Sequence, residues 1–213
     1  MELTKFGHAS VVLERDGRRL VIDPGVFTDA SALDGAEAVL ITHEHVDHFV
    51  EERIRGVLAE VPGLEVWTNP AVGAVLGDGG GRVHVVGAGD AFLVAGFDVK
   101  VFGEWHAVIH PDIPVVRNVG FLVDDAVFHP GDALIAPDVP VEVLLVPAHA
   151  PWSKTGELVD WVREVKPGRA LGIHDGLLNE VGLGLVARLL GDGGPGTGAP
   201  YRQVGVGERV SVG

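Results

Sequence analysis

The sequence predicts an α/β (α+β) domain in which two β-sheets pack face to face with helices outside. Three observations carry this. Short β-branched segments come in runs rather than singly. Each half of the chain ends its run in a continuous apolar segment, "AEAVLIT" at 36–42 and "VEVLLVP" at 141–147, as expected of a strand buried on both faces. An amphipathic helical pattern follows each one, so a helix can cover the outer face of each sheet.

In chain order, "ELTKFG", "SVVLERD" and "RRLVIDP" read as strands, with Asp16-Gly17 turning the second into the third. After "AEAVLIT", Val50, Ile54, Val57, Leu58 and Val61 recur at helical spacing, and Pro62-Gly63 stops the helix. "LEVWTN" is a strand, and Pro70 starts a short helix that ends in "GDGGG" at 77–81. "RVHVVG", "DAFLVAG", "FDVKVFGEWHA", "NVGFLVDD" and "AVFHPGD" are strands, with a hairpin turn at Asp124-Asp125. Beyond "VEVLLVP", Leu158, Trp161, Val162 and Val165 share a helix face, with Ser153 or Thr155 as candidate cap. "RALGIHD" is a strand and "LLNEVGLGLVARLLG" a helix. The glycine-rich loop 191–200 then precedes a last strand pair. No linker separates two cores, so residues 1–213 are expected to form one domain.

Hydrophobic residues make up 46% of the 213 and charged residues 22%, which suits a folded core. No apolar run approaches the roughly 20 residues of a membrane span. "MELTKFGHAS" has no apolar signal core, so a cytoplasmic protein is expected. The formal charge of −14 disfavours a nucleic-acid partner, which is bound through phosphate neutralisation. A small-molecule substrate is expected instead, with no membrane partner. There is no cysteine, so any metal must be held by imidazole and carboxylate.

Six of the ten histidines follow strand-like segments: His43, His45, His48, His106, His149 and His174. In "HEHVDH", His43 and His45 alternate and point the same way if extended, while Asp47 and His48 come where the chain turns into the helix. This donor set suits Zn, Fe, Mn or Co. Two neighbouring clusters suggest two metals about 3.5–4 Å apart. A histidine-rich surface turn is the bland alternative, and it explains one such histidine better than three with an aspartate. His84 reads as structural or exposed, and His110 as a loop residue. Asp23 could touch a metal, but it better suits a supporting hydrogen bond to the histidine loop.

"THEHVDH" resembles the H-x-H-x-D-H signature of the metallo-β-lactamase fold superfamily. "VIDPG", "FGEWHA", "FHPGDA" and "ALGIHDG" follow in the order of its other motifs and place Asp23, His106, Asp132 and His174. "FGHASVVLE" further resembles small hydrolases related to ascorbate-6-phosphate lactonase and places His8 near the site. The resemblance implies a four-layer αββα sandwich with one or two divalent metals, zinc first and manganese or iron as alternatives. One metal would be held by His43, His45 and His106, the other by Asp47, His48 and His174, with Asp132 bridging. Asp47, Asp132 and His8 would serve catalysis, while His129, His149 and Trp152 would support or line the pocket. The chemistry implied is hydrolysis of an ester, lactone or phosphodiester-type bond. A non-catalytic metal-binding or regulatory protein and a non-haem iron oxidoreductase are the alternatives. Ala133, His129-Pro130 and the "PAHAPWSK" loop depart from the family pattern and leave the substrate open.

Overall fold

The computed structural model describes residues 1–213. It has fourteen strands in two sheets of seven, with four α-helices and one 3₁₀ turn at Ala30–Leu33. The first sheet holds β1 (Glu2–Lys5), β2 (Val11–Arg15), β3 (Arg18–Ile22), β4 (Ala38–Ile41), β5 (Glu65–Thr68) and β6 (Val83–Val85) in chain order, with β14 (Arg209–Ser211) beside β1. In the second sheet, β7 (Ala91–Val94), β8 (Phe97–Phe102), β9 (Gly120–Val123), β10 (Val127–His129), β11 (Val143–Pro147), β12 (Arg169–Ile173) and β13 (Tyr201–Gln203) also follow chain order. Both sheets are mixed: hairpins at one end pass into parallel pairing, as in β3–β4–β5 and β10–β11–β12.

The apolar runs explain the layering. Along β4, Ala38 and Leu40 enter the core between the sheets, whereas Val39 and Ile41 pack beneath α1 (Glu51–Glu60) and α2 (Pro70–Leu76). Along β11, Val143 and Leu145 face the inter-sheet core, and Leu144 and Val146 face α3 (Thr155–Val165) and α4 (Glu180–Leu190). Side chains alternate across a strand, so a strand sandwiched between layers must be apolar at every position. Each fully buried valine, leucine or isoleucine contributes about 1.5–3 kcal/mol. The result is the expected αββα order.

Two details differ from expectation. Neither Ser153 nor Thr155 caps α3. Lys154 takes the cap position in extended conformation, and the Ser153 hydroxyl turns back to the carbonyl of Ala150. The last two strands do not pair with each other. β13 adds parallel to β12, and β14 crosses to pair with β1. Val204, Val210 and Val212 drive this by entering the inter-sheet core. Lys5, almost fully buried, fixes the crossing by donating to the Val204 carbonyl and to Asp175 at 2.5 Å. No helix is long and apolar enough to cross a membrane.

Candidate metal centre

The loops at the strand ends of both sheets meet at one place. The chain leaves β4 at Thr42 and turns tightly, with the amides of His48 and Phe49 both bonded to the carbonyl of His45. Gly25, beyond β3, lies directly beneath this turn; a Cβ there would sit 1.9 Å from the Asp47 carbonyl oxygen. Gly131 has φ +63°, and its missing Cβ makes room for the Asn118 side chain, which accepts from the Asp132 amide. Asp23 and His174 also hold left-handed backbone (φ 50° and 56°), unusual for residues with a Cβ and common where function fixes geometry.

These loops gather the predicted side chains. One ligand atom each from His43, His45 and His106 lies within 4.8 Å of the others. His174 Nε2 is 3.4 Å from Asp47 Oδ2 and 3.2 Å from Asp132 Oδ2. Asp132 Oδ2 is also 3.5 Å from His106 Nε2, and its Oδ1 is 3.2 Å from His48 Nε2. Asp132 therefore stands between the two groups. The tightest groupings differ from expectation in one respect. His48 sits with His43 and Asp132, and His8 takes its place beside Asp47 and His174. The cause is the bond from His48 Nδ1 to Asp23, which turns the ring toward Asp132 and leaves its Nε2 3.9 Å from Asp47.

Hydrogen-bond partners sort the imidazoles by tautomer. His106 Nδ1 donates to the Ala107 carbonyl and His174 Nδ1 to the His149 carbonyl. His48 Nδ1 donates to Asp23 at 2.7 Å. The Thr42 hydroxyl donates to Asp23 and so accepts from His43 Nδ1. In the neutral form of each of these four rings the proton is on Nδ1, so Nε2 is the nitrogen left to bind a cation. The Nε2 atoms of His48, His106 and His174 and Oδ1 of Asp132 are buried with no hydrogen-bond partner. Such atoms are costly to bury. Several of them converging as acceptors on one another is the arrangement a divalent cation satisfies.

Electrostatics agree. Burial opposes charge on Asp132, but the facing His48 and His174 override it and hold its carboxyl well below the usual range. Burial likewise opposes a second proton on His174, yet without a cation Asp132 and Asp47 hold it there and raise the pKa to about 9, so a bound cation would take the place of the Nε2 proton. His48 is raised against its burial by Asp132 and Asp23. The same carboxylates favour any cation placed among these rings. His43, wholly buried and flanked by other imidazoles, is pushed well down and is neutral.

The remaining predicted residues separate. Asp23, fully buried, accepts from the Thr42 amide and hydroxyl and from His48, and so orients the histidine loop. Trp152 is buried and donates its indole N–H to Asp132 Oδ2 at 2.9 Å. His129 has both nitrogens engaged, Nδ1 by the Gly131 amide and Nε2 by the Ala9 carbonyl, so it neither lines the pocket nor can give a proton there. His149 is exposed and meets the site through its carbonyl, not its ring. Of the histidines read as peripheral, His84 stacks on Trp67 and His110 is exposed. Sequence reasoning did not single out Thr42 or Asn118. Nor did it find Asn69, which caps α2 and donates to the Thr42 carbonyl; its place before Pro70 is a legible cap signal, its second bond is not.

The comparisons with known proteins fit this geometry. Protein Rv0786c of Mycobacterium tuberculosis is 42% identical over 184 residues, covering 84% of this chain and 85% of its own. A UPF0173 metal-dependent hydrolase of Methanopyrus kandleri is 25% identical over 201 residues, covering 83% and 84%. Among solved structures, Igni18, a metallo hydrolase of Ignicoccus hospitalis, superposes with a TM-score of 0.75 at 18% identity, covering 98% of this chain and 97% of that one. The beta-lactamase superfamily domain matches residues 2–174, from β1 through His174, and this chain belongs to that family.

Proposed function

We propose that this protein is a cytoplasmic metal-dependent hydrolase of a small molecule, cleaving an ester, lactone or phosphodiester-type bond. The observation that carries this reading is the set of buried, partnerless Nε2 atoms and the Asp132 oxygen, all converging while the opposite ring nitrogens are tied down. The metal-dependent hydrolase in Methanopyrus kandleri, related over most of its length, supports it. His43, His45 and His106 would hold one cation, Asp47, His48 and His174 a second, and Asp132 both. Zinc is the first choice, with manganese or iron open to the same donors. A cation held there supplies Lewis-acid polarisation of the scissile oxygen and a hydroxide nucleophile near neutral pH.

The chain's own groups do the rest. Asp47, partly open to solvent, orients the attacking water. Asp23 and Trp152 hold His48 and Asp132 in register. His8 has the opposite tautomer from the ligand histidines. Its Nδ1 accepts from the Gly176 amide at 2.8 Å, so neutral His8 carries its proton on Nε2. Burial lowers its pKa and keeps it neutral. That Nε2–H has no hydrogen-bond partner; Asp47 Oδ2 lies 3.4 Å away. It is a donor aimed into the site rather than a ligand, suited to the developing oxyanion or the leaving oxygen. His8→Ala should lower kcat by roughly 10²-fold with metal content retained. His8→Gln, which keeps an acceptor for Gly176 and a donor for the site, should restore part of the rate. Loss of metal from His8→Ala would show instead that His8 is a ligand.

The reading is tested by turnover. Chelated protein should hydrolyse none of a panel of ester, lactone and phosphodiester substrates, and added Zn or Mn should restore activity on at least one. Equal turnover with and without chelator would refute it.

A further inference from the structure

Most of the large hydrophobic side chains that the protein leaves exposed lie on segments that carry the candidate site. Val46, 68% exposed, sits between His45 and Asp47, and its carbonyl accepts from the amide of Val26, itself about half exposed. Phe27, also about half exposed, sets its ring 5.2 Å from that of His8. Trp105 precedes His106, and Leu177 follows the His174 turn. Val26, Val46, Phe49, Val50 and Val75 line a groove of about 390 Å³ beside the histidine loop. Contiguous exposed apolar surface of this kind marks a binding face.

The charges at this rim are one-sided. Glu44, Glu51 and Glu52 are the other residues of the groove. The nearby cations are already engaged. Arg53 is spent on the carbonyls of Pro24, Gly25 and Thr28, Arg55 on Glu51 and on the carbonyls of Val75 and Leu76, and Arg117 on Glu104. An anionic substrate would find carboxylates and no free cation on this approach. A second copy of the chain is disfavoured by the same residues, because a two-fold contact would bring the three carboxylates toward their own copies.

Resting on the hydrolytic reading above, we propose that the substrate is an uncharged ester or lactone whose aliphatic acyl chain lies along the Val26–Val46 groove and over the neighbouring Phe27, which stands beside His8. Water adds hydroxyl to the acyl carbon as the bond from that carbon to the alcohol oxygen breaks. The alcohol oxygen takes up a proton, and the carboxylic acid product releases one to solvent, so no redox partner is required. The chain contributes by burying methylenes, which fixes the carbonyl beside His8 and Asp47.

The test uses the full chain loaded with Zn or Mn, with p-nitrophenyl acetate, butyrate and octanoate and bis(p-nitrophenyl) phosphate as probes. In a half-open groove, kcat/KM should rise roughly twofold per methylene, about half the effect of full burial, giving roughly 60-fold from acetate to octanoate. The phosphodiester should be the poorest substrate. Val46→Ser and Phe27→Ser should each lower the octanoate-to-acetate ratio several-fold, while Leu93→Ser, an equivalent change on edge strand β7, should leave it unchanged. Ester turnover with a flat chain-length series, a preference for the phosphodiester, or unaltered ratios in both groove variants would overturn the proposal and leave the hydrolytic reading standing. A wild-type dimer that Val46→Ser dissociates would also overturn it, because the groove would then be an interface. No turnover of any probe by the loaded protein would sink both.

Discussion

Asp132→Ala lowers kcat/KM by roughly 10³-fold or more and leaves the protein short of its full metal complement. This carboxylate is 3.2 Å from Nε2 of both His48 and His174 and 3.5 Å from that of His106. It is the one anionic side chain that touches both halves of the ligand set. Removing it takes away a donor and the negative charge that makes the cluster hospitable to a cation, and a bound cation supplies several kcal/mol of transition-state stabilisation. The alanine variant also leaves the Trp152 indole without its acceptor, at about 1–3 kcal/mol, so lost activity could reflect lost structure. Asp132→Asn separates the two. It keeps the shape and an oxygen for Trp152 but carries no charge. Steady-state kinetics on both variants, with circular dichroism to confirm folding, should find the asparagine variant folded and nearly as inactive as the alanine one. A folded Asp132→Asn protein with wild-type turnover would contradict the assignment.

Removing the metal destabilises the fold as well as stopping turnover. A ligand that binds only the native state stabilises it by about 4 kcal/mol when its free concentration is a thousand times Kd. For a chain of this size each kcal/mol moves Tm by roughly 2–4 °C, so chelation should lower Tm by roughly 8–16 °C. The physical source is local. Without a cation, the buried Nε2 atoms of His48, His106 and His174 face the Asp132 carboxylate at 3.2–3.5 Å with no well-formed hydrogen bond, whereas water satisfies all of these groups when the protein unfolds. Thermal melts with and without chelator, followed by re-addition of Zn or Mn, measure this. A Tm that chelation leaves unmoved would mean that the cluster binds no metal in the native state.

What the sequence made legible is mostly local. "VLITHEHVDH" reads as a buried strand opening into a ligand-rich turn because its periodicity and its donors lie within ten residues, and β4, the turn and α1 follow in that order. The two-sided burial of β4 and β11 was likewise written into unbroken apolar runs. What stayed hidden depends on contacts across the chain. The Asp132–Trp152 bond spans 20 residues and the Gly176–His8 bond 168, and neither leaves a pattern in composition or spacing. In the sequence His129 and His149 looked alike, each as able to line the pocket as to hold an ordinary hydrogen-bonded position. Only the folded partners show one ring closed at both nitrogens and the other turned outward. The destination of β14 was also illegible, because a three-residue strand carries no mark of the sheet it joins. His8 was placed near the site by resemblance, but its tautomer, on which the proposed donor role rests, emerged only from the Gly176 amide.

Elemental analysis of the purified wild-type protein beside Asp132→Asn is the most direct test of the metal centre. One to two equivalents of zinc, manganese or iron per chain are expected for the wild type, with a clear loss in the variant. A wild-type protein free of metal yet fully active, or an Asp132→Asn protein that keeps the whole complement, would contradict it.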